Sequence, residues 1–208
     1  MIKTENLAIG YNNKIIVENI NIQVRDNSCT CIFGENGCGK TTLLKTLQTL
    51  IPPIKGDAKI NDFSLSQKWE IRKISSCVFQ KNDIDLGFPL LTKDVVEMGR
   101  YRINPYKTTK KDLEIVEKVM NETNTWDLKN IPYGHLSGGQ RQRVNIALAL
   151  ASEPKVLFLD EPGTYLDTQS RDMLIEIINK LKQNLTMVVV SHYKKFTDAI
   201  ADEVYELK

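Results

Sequence analysis

Gly34-Glu35-Asn36-Gly37-Cys38-Gly39-Lys40-Thr41-Thr42 lies between an apolar, strand-like run, Cys29-Thr30-Cys31-Ile32-Phe33, and a helix-like run, Leu43-Leu44-Lys45-Thr46-Leu47. Strand, glycine-rich loop and helix in that order are what a phosphate cradle requires. Without Cβ atoms at its glycines the loop can wrap with successive backbone N–H groups facing inward, and the helix presents its positive end to the same spot. A polyphosphate is the natural occupant. Lys40 is placed to reach the β- and γ-phosphates, and the Thr41 hydroxyl to ligate a magnesium ion bridging them. A glycine-rich turn before an ordinary helix is the structural alternative, and the complete G-x-x-x-x-G-K-T spacing weighs against it.

Upstream of this loop, residues 1–33 read as three strands: Leu7-Ala8-Ile9, then Ile15-Ile16-Val17 with Ile20, Ile22 and Val24 alternating, then the run into the loop. Gly10-Tyr11-Asn12-Asn13 is the turn between the first two. Tyr11 is either an ordinary turn residue or an aromatic face for a purine ring, with its hydroxyl left wet. Downstream, Pro52-Pro53 and Gly56 break the helix, and Ala58-Lys59-Ile60 and Ser76-Cys77-Val78-Phe79 read as further strands, the second closed by Gln80. Residues 81–135 read as an inserted helical lobe, with Asp94-Val95-Val96-Glu97-Met98 in one helix and Leu113, Val116 and Met120 at helical spacing in another. Tyr101, Tyr106 and Trp126 belong either to the lobe core or to a docking surface.

Leu136-Ser137-Gly138-Gly139-Gln140-Arg141-Gln142-Arg143 opens the next helix. Ser137 and Gln140 have capping-box spacing, and the paired glycines leave the helix N-terminus bare enough for a phosphate to approach. Val156-Leu157-Phe158-Leu159 then runs without a polar residue into Asp160-Glu161, the pattern of a central parallel strand. Ligands of open α/β sheets sit at the carboxyl ends of strands, so the acid pair is expected beside the phosphate loop. Adjacent side chains on an extended strand point opposite ways, which gives the acids separate tasks. Asp160 suits a magnesium shell and Glu161 suits polarising the attacking water. A last apolar strand, Met187 to Val190, ends at Ser191-His192, where His192 could hydrogen-bond the γ-phosphate or that water.

The 208 residues, 41% of them hydrophobic, suffice for one compact domain and a smaller subdomain. A net charge of +2, with no Lys/Arg cluster read as an electrostatic footprint, speaks against a dedicated nucleic-acid binder. No apolar run approaches the roughly 20 residues of a bilayer span, and the polar N-terminus predicts no secretion. Cys29 and Cys31 read as small buried residues of one strand face in a reducing compartment; Cys38, inside the loop, reads as a tolerated small residue that could make the protein sensitive to alkylation.

Phosphate loop, LSGGQ and an apolar strand ending in Asp-Glu, in that order, resemble the nucleotide-binding subunit of the ATP-binding cassette (ABC) family over nearly the whole chain. The resemblance implies an α/β fold, a P-loop NTPase core of RecA type with an antiparallel β subdomain and an inserted α-helical subdomain. It implies a single domain over 1–208, with 1–80 and 136–208 as the core and β subdomain and 81–135 as the helical subdomain. It implies ATP and Mg2+ as cofactors and hydrolysis to ADP and phosphate. It assigns Tyr11 to adenine, residues 34–42 to the phosphates, and Gln80 to magnesium, the water and a membrane partner. Asp160 goes to magnesium, Glu161 to general base, Asp167 to a dimer-contact loop and His192 to the γ-phosphate switch. Ser137, Gly138, Gly139 and Gln140 of one subunit would reach the ATP of another in an ATP-dependent head-to-tail homodimer. Polytopic membrane subunits would dock on the Gln80 loop and the helical subdomain, on the cytoplasmic, inner face of the cell membrane, with no nucleic acid involved.

Within that family, Phe88-Pro89, Asp94-Val95-Val96 and Met98-Gly99-Arg100-Tyr101 resemble importers of metal ions or iron chelates, and Thr164-Tyr165-Leu166-Asp167 the iron-chelate branch. Gly163 stands where Thr or Ser is usual and Tyr193 where Asp commonly follows the switch histidine. These departures bear on the substrate more than on the ATPase. A small exporter ATPase and a soluble ABC ATPase of the iron-sulfur assembly type are the competing expectations.

Overall fold

The computed structural model describes residues 2–80 and 89–207. The first eight residues of the expected helical lobe, 81–88, lie outside the described residues, and Phe88 with them. In chain order the elements are β1 Ile2–Tyr11, β2 Lys14–Ile20, β3 Gln23–Val24, β4 Cys29–Phe33, α1 Lys40–Leu47, β5 Lys55–Ile60, β6 Phe63–Ser64, α2 Lys68–Ile74 and β7 Ser75–Val78. After the gap come α3 Thr92–Glu97, α4 Lys110–Glu122, α5 Gly138–Ala151, β8 Val156–Asp160, α6 Thr168–Leu181, β9 Thr186–Ser191, α7 Lys194–Ile200 and β10 Glu203–Glu206. Contacts divide them into two compact units, 1–80 with 155–162 and 179–208, and 81–154 with 163–178. The second unit includes α5, which the sequence grouped with the core.

The first unit holds two sheets. One is antiparallel, in the order β2-β1-β5-β6 with β3 also on β1. Its first hairpin turns at Asn12 and Asn13, whose φ angles of 50° and 60° are the paired left-handed conformations that a two-residue turn between right-twisted strands needs. Tyr11 thus ends β1, paired with Lys14, rather than sitting in the turn. The expected single strand through Ile20, Ile22 and Val24 is broken. The Thr4 hydroxyl donates to Ile20 O at 2.9 Å and accepts from Ile22 N at 2.8 Å, and the Asn21 side-chain carbonyl accepts from Asn6 N at 2.9 Å, so side-chain bonds interrupt the ladder there beside one backbone bond from Thr4 N to Ile22 O at 2.9 Å.

The second sheet is wholly parallel, in the order β10-β4-β9-β8-β7. β8 is buried along its whole length between β9 and β7, as its uninterrupted apolar run requires. Cys29 and Cys31 are fully buried on β4, and a hydrogen bond with the Cys29 thiol, then burial, push the Cys31 thiol far up. One core joins both sheets to α1: Ile2, Leu7 and Ile9 of β1, Phe158 of β8 and Leu43, Leu44 and Leu47 of the helix cluster together. The helix behind the phosphate loop is therefore anchored by its own apolar face.

In the second unit, α4 opens with a capping box in which Thr109 N donates to Asp112 Oδ2 at 2.9 Å and Asp112 N to the Thr109 hydroxyl at 3.3 Å. Asp112 is buried and also accepts from Arg100 Nε at 2.8 Å, while Arg100 Nη1 donates to Ala151 O at 2.6 Å and Glu153 Oε2 at 2.9 Å. This pair fixes the phase of the helix. Asp112, Val116, Val119 and Met120 face inward and Leu113, expected on the apolar face, is exposed. Among the described residues no helix is long and apolar enough to cross a membrane.

Candidate nucleotide site

β4 delivers the chain into the loop at Phe33, and α1 begins at Lys40. Gly39 has φ of 102°, a conformation L side chains avoid, and a Cβ there would lie 2.9 Å from Val17 Cγ2. A Cβ on Gly34 would come within 2.6 Å of Leu207 O. The loop is thus braced from the β1–β2 hairpin on one side and from the end of the chain on the other. Nothing in the local sequence announces Leu207, 173 residues away from Gly34, as a brace.

Lys40 turns back over the loop. Its Nζ donates to the carbonyls of Gly34 and Glu35, both at 2.8 Å, and lies 3.4 Å from Glu161 Oε1, with the side chain only 6% exposed. The Thr41 hydroxyl donates to both oxygens of Asp160, at 2.9 and 3.1 Å. Burial raises the Asp160 pKa, the Thr41 hydrogen bond opposes that, and the Glu161 charge adds to it. A buried carboxylate held this way gains from an arriving cation. The Thr41 and Asp160 oxygens are the hard donors a magnesium ion takes while keeping water and phosphate ligands. Among the described residues no three His, Cys, Asp or Glu side chains gather into a metal cluster.

Glu161 corrects one expectation. It lies one residue past the end of β8 with φ of 49°, so a left-handed turn, not strand alternation, separates its direction from that of Asp160. Its Oε2 lies 2.8 Å from His192 Nδ1 and accepts from His192 N at 3.4 Å, and its own amide donates to Val190 O. His192, just past β9, is therefore paired with the carboxylate. Lys40, Thr41, Asp160, Glu161 and His192 form one connected set drawn from the ends of two parallel strands, β8 and β9, and the start of α1. Gln80 is exposed, two residues beyond β7, whose last pairing with β8 is Val78↔Leu159. Glu35, Asn36 and Gly37 are exposed at the loop tip, Thr42 is buried, and Cys38 is a half-buried free thiol. Tyr11 is exposed at the tip of the bracing hairpin.

Ser137, Gly138, Gly139 and Gln140 belong to the second unit. Ser137 caps α5, accepting from Gln140 N at 3.2 Å and donating its own amide to Gln140 Oε1 at 2.9 Å. The two glycines differ: a Cβ on Gly138 meets nothing within 4 Å, whereas one on Gly139 falls 2.3 Å from the Ser170 hydroxyl. Ser170 in turn donates its amide and hydroxyl to Asp167, at 2.8 and 3.0 Å, which holds that carboxyl below its usual range. Tyr165, between these elements, is exposed with φ of 62°.

Comparison with known proteins identifies the family. The family model described as ABC transporter matches residues 17–164. The chain is 34% identical over 210 residues to the manganese transport system ATP-binding protein MntB of Halalkalibacterium halodurans, covering all of this chain and 82% of that one. It is 32% identical over 212 residues to the achromobactin transport ATP-binding protein CbrD of Dickeya dadantii, covering 98% and 77%. Among solved structures, cbiO1 of Clostridium perfringens, part of the ABC transporter complex cbiONQ, superposes with a TM-score of 0.88 at 27% identity, covering 100% of this chain and 84% of that one. The expected α/β fold of a P-loop ATPase with an antiparallel sheet and added helices stands. The chain belongs to the ABC transporter family, as an ATP-binding subunit that hydrolyses ATP.

Proposed function

We propose that this ATPase is magnesium-dependent and drives import of metal ions or iron chelates through separate polytopic membrane subunits. The observation that carries the chemistry is the connected set Lys40, Thr41, Asp160, Glu161 and His192 around one loop. Loop amides and Lys40 hold the phosphates, so Lys40 exchanges the Gly34 and Glu35 carbonyls for phosphate oxygens. Magnesium, when bound, neutralises charge on the β- and γ-phosphates. Thr41 and Asp160 would hold it, with Gln80 as a further oxygen donor. Glu161 takes the proton of the attacking water, and His192 orients that carboxylate and senses the γ-phosphate. Tyr11 stacks on adenine.

Ser137, Gly138, Gly139 and Gln140 of a second copy close over the γ-phosphate in a head-to-tail dimer, with the Asp167 loop at the same contact. A bare helix N-terminus favours the negative charge and excludes water. Hydrolysis removes the shared ligand and lets the copies part, which the Gln80 loop and helical subdomain pass to the membrane subunit. The substrate class rests on the names of the manganese and achromobactin relatives and on the Asp94-Val95-Val96 and Thr164-Tyr165-Leu166-Asp167 stretches. Glu161→Gln tests the chemistry. It should retain ATP binding, barely hydrolyse, and accumulate as a dimer with magnesium and ATP; turnover near that of the wild type would remove Glu161 from its role.

A further inference from the structure

We propose that Arg143 is a positioning residue of ATP hydrolysis: as two copies close, its guanidinium takes the Asp167 carboxylate from Ser170 and fixes the Asp167 loop against α5. This rests on the reading of that loop as part of the dimer contact. Arg143 lies on α5 and is only 8% exposed. Its Nε is sealed from solvent without a hydrogen-bond partner, and no ion pair among the described residues includes the guanidinium. Arg100, buried in the same unit, is by contrast matched to Asp112, Ala151 O and Glu153. Burial without a partner disfavours a charge, and such breaches of local consistency fall mainly at functional sites.

The place of Arg143 on the helix points to its acceptor. Gly139 and Arg143 are four residues apart and share one face of α5. That face meets the start of α6, because a Cβ on Gly139 would fall 2.3 Å from the Ser170 hydroxyl. A helical side chain covers the turn before its own Cα, so Arg143 leans toward the point where Gly139 meets Ser170, and a glycine there leaves the way open. At that point Ser170 donates its amide to Asp167 Oδ1 at 2.8 Å and its hydroxyl to Asp167 Oδ2 at 3.0 Å. Each carboxylate oxygen keeps a lone pair that a guanidinium fork can use. Burial pushes the Arg143 pKa down and the Asp167 charge opposes it, so the carboxylate is felt without being bonded.

The two sets of partners hold the loop differently. Ser170 is three residues from Asp167, so its bonds cap α6 and tie the loop to nothing else. A bond from Arg143 ties it to α5, the helix that Ser137 caps. Asp167 and Ser137 to Gln140 then meet a second copy as one rigid surface.

The test uses Arg143→Met, which keeps an unbranched side chain and removes the charge, beside Arg143→Lys and Asp167→Asn, which keeps a capping residue at α6. Arg143→Met should lower turnover about 10- to 150-fold, the worth of one charge-assisted hydrogen bond. Affinity of the free chain for a fluorescent ATP analogue should stay unchanged, and melting should come no lower than in the wild type, because an apolar group replaces a buried charge that has no partner there. A residue that merely held the fold would lower the melting temperature instead. Arg143→Lys should recover part of the turnover, and Arg143→Met with Asp167→Asn should lose no more than the worse single change. Wild-type turnover in Arg143→Met, a clearly lower melting temperature, equal rates for Met and Lys, or additive losses in the double variant would overturn the proposal. Gel filtration with magnesium and ATP separates it from the reading beneath. Adding Arg143→Met to Glu161→Gln should turn a dimer into a monomer. An intact dimer there removes the role of Arg143 alone, whereas the absence of a dimer in Glu161→Gln itself removes the dimer contact and the proposal with it.

Discussion

Replacing Gly138 by Ala separates what the paired glycines of the α5 N-terminus do for folding from what they do for catalysis. A Cβ at Gly138 meets no heavy atom within 4 Å, and its φ is not among the positive ones. On folding grounds Ala is the better residue there, by about 0.5 kcal/mol, which raises the melting temperature by about 1–2 °C for a chain of this size. Gly139→Ala behaves oppositely, because its Cβ would sit 2.3 Å from the Ser170 hydroxyl that holds Asp167. Overpacking of that kind costs about 1–3 kcal/mol. If the γ-phosphate of a second copy approaches the Gly138 amide, the added methyl displaces one charge-assisted hydrogen bond worth about 1.5–3 kcal/mol, or about 10- to 150-fold in turnover. The assay is steady-state ATP hydrolysis beside thermal melting and binding of a fluorescent ATP analogue. Gly138→Ala should bind nucleotide normally, melt no lower than the wild type and hydrolyse poorly. Full turnover in that variant would refute the close approach, and a melting temperature as low as that of Gly139→Ala would refute the packing argument.

Two further outcomes follow from the geometry. Gly39→Ala must place a side chain at φ of 102° and 2.9 Å from Val17 Cγ2, a strain of about 1–3 kcal/mol that the loop relieves by moving, so ATP affinity should fall about tenfold or more in a nucleotide titration; unchanged affinity would contradict the bracing of the loop. Acid sensitivity should track Asp112, whose carboxyl is held well below the usual range by the Thr109 hydroxyl and amide and then the Arg100 guanidinium. A depressed folded pKa gives stability that is complete above the unfolded value of about 3.9 and is lost as pH falls below it toward the folded one. Melting temperature should therefore drop below about pH 4 in the wild type and drop less steeply in Asp112→Asn, which starts lower; parallel pH profiles for the two would count against this role.

Much of the site is legible because its signals are local. Cys29 to Phe33, the glycine spacing and the apolar face of α1 lie within twenty residues, and backbone sterics leave them few arrangements. Val156 to Leu159 reads as a central strand because only burial on both faces tolerates an unbroken apolar run. What the sequence hides comes from partners far along the chain. Leu113 looks like a core position and Asp112 a surface one until Arg100 is seen to neutralise the acid inside the second unit. Glu161 reads as the last strand residue, yet its left-handed turn is set by His192 and Val190 from another strand. β10, Glu203-Val204-Tyr205-Glu206, is too short and half-charged to carry a core signal and is recognisable as a strand only from its parallel pairing with β4. The half-polar β3 is likewise separated from β2 only by side-chain bonds from Thr4 and Asn21.

The most direct test of the account is to tag the chain in its native cells, solubilise the membranes and identify what co-purifies, then follow uptake of manganese and of ferric chelates when the gene for the chain is inactivated. A polytopic membrane protein should accompany it in stoichiometric amount, and uptake of one of these substrates should fail without it. Recovery only from the soluble fraction with soluble partners, or accumulation of the substrate in place of its loss, would contradict an importing ATPase.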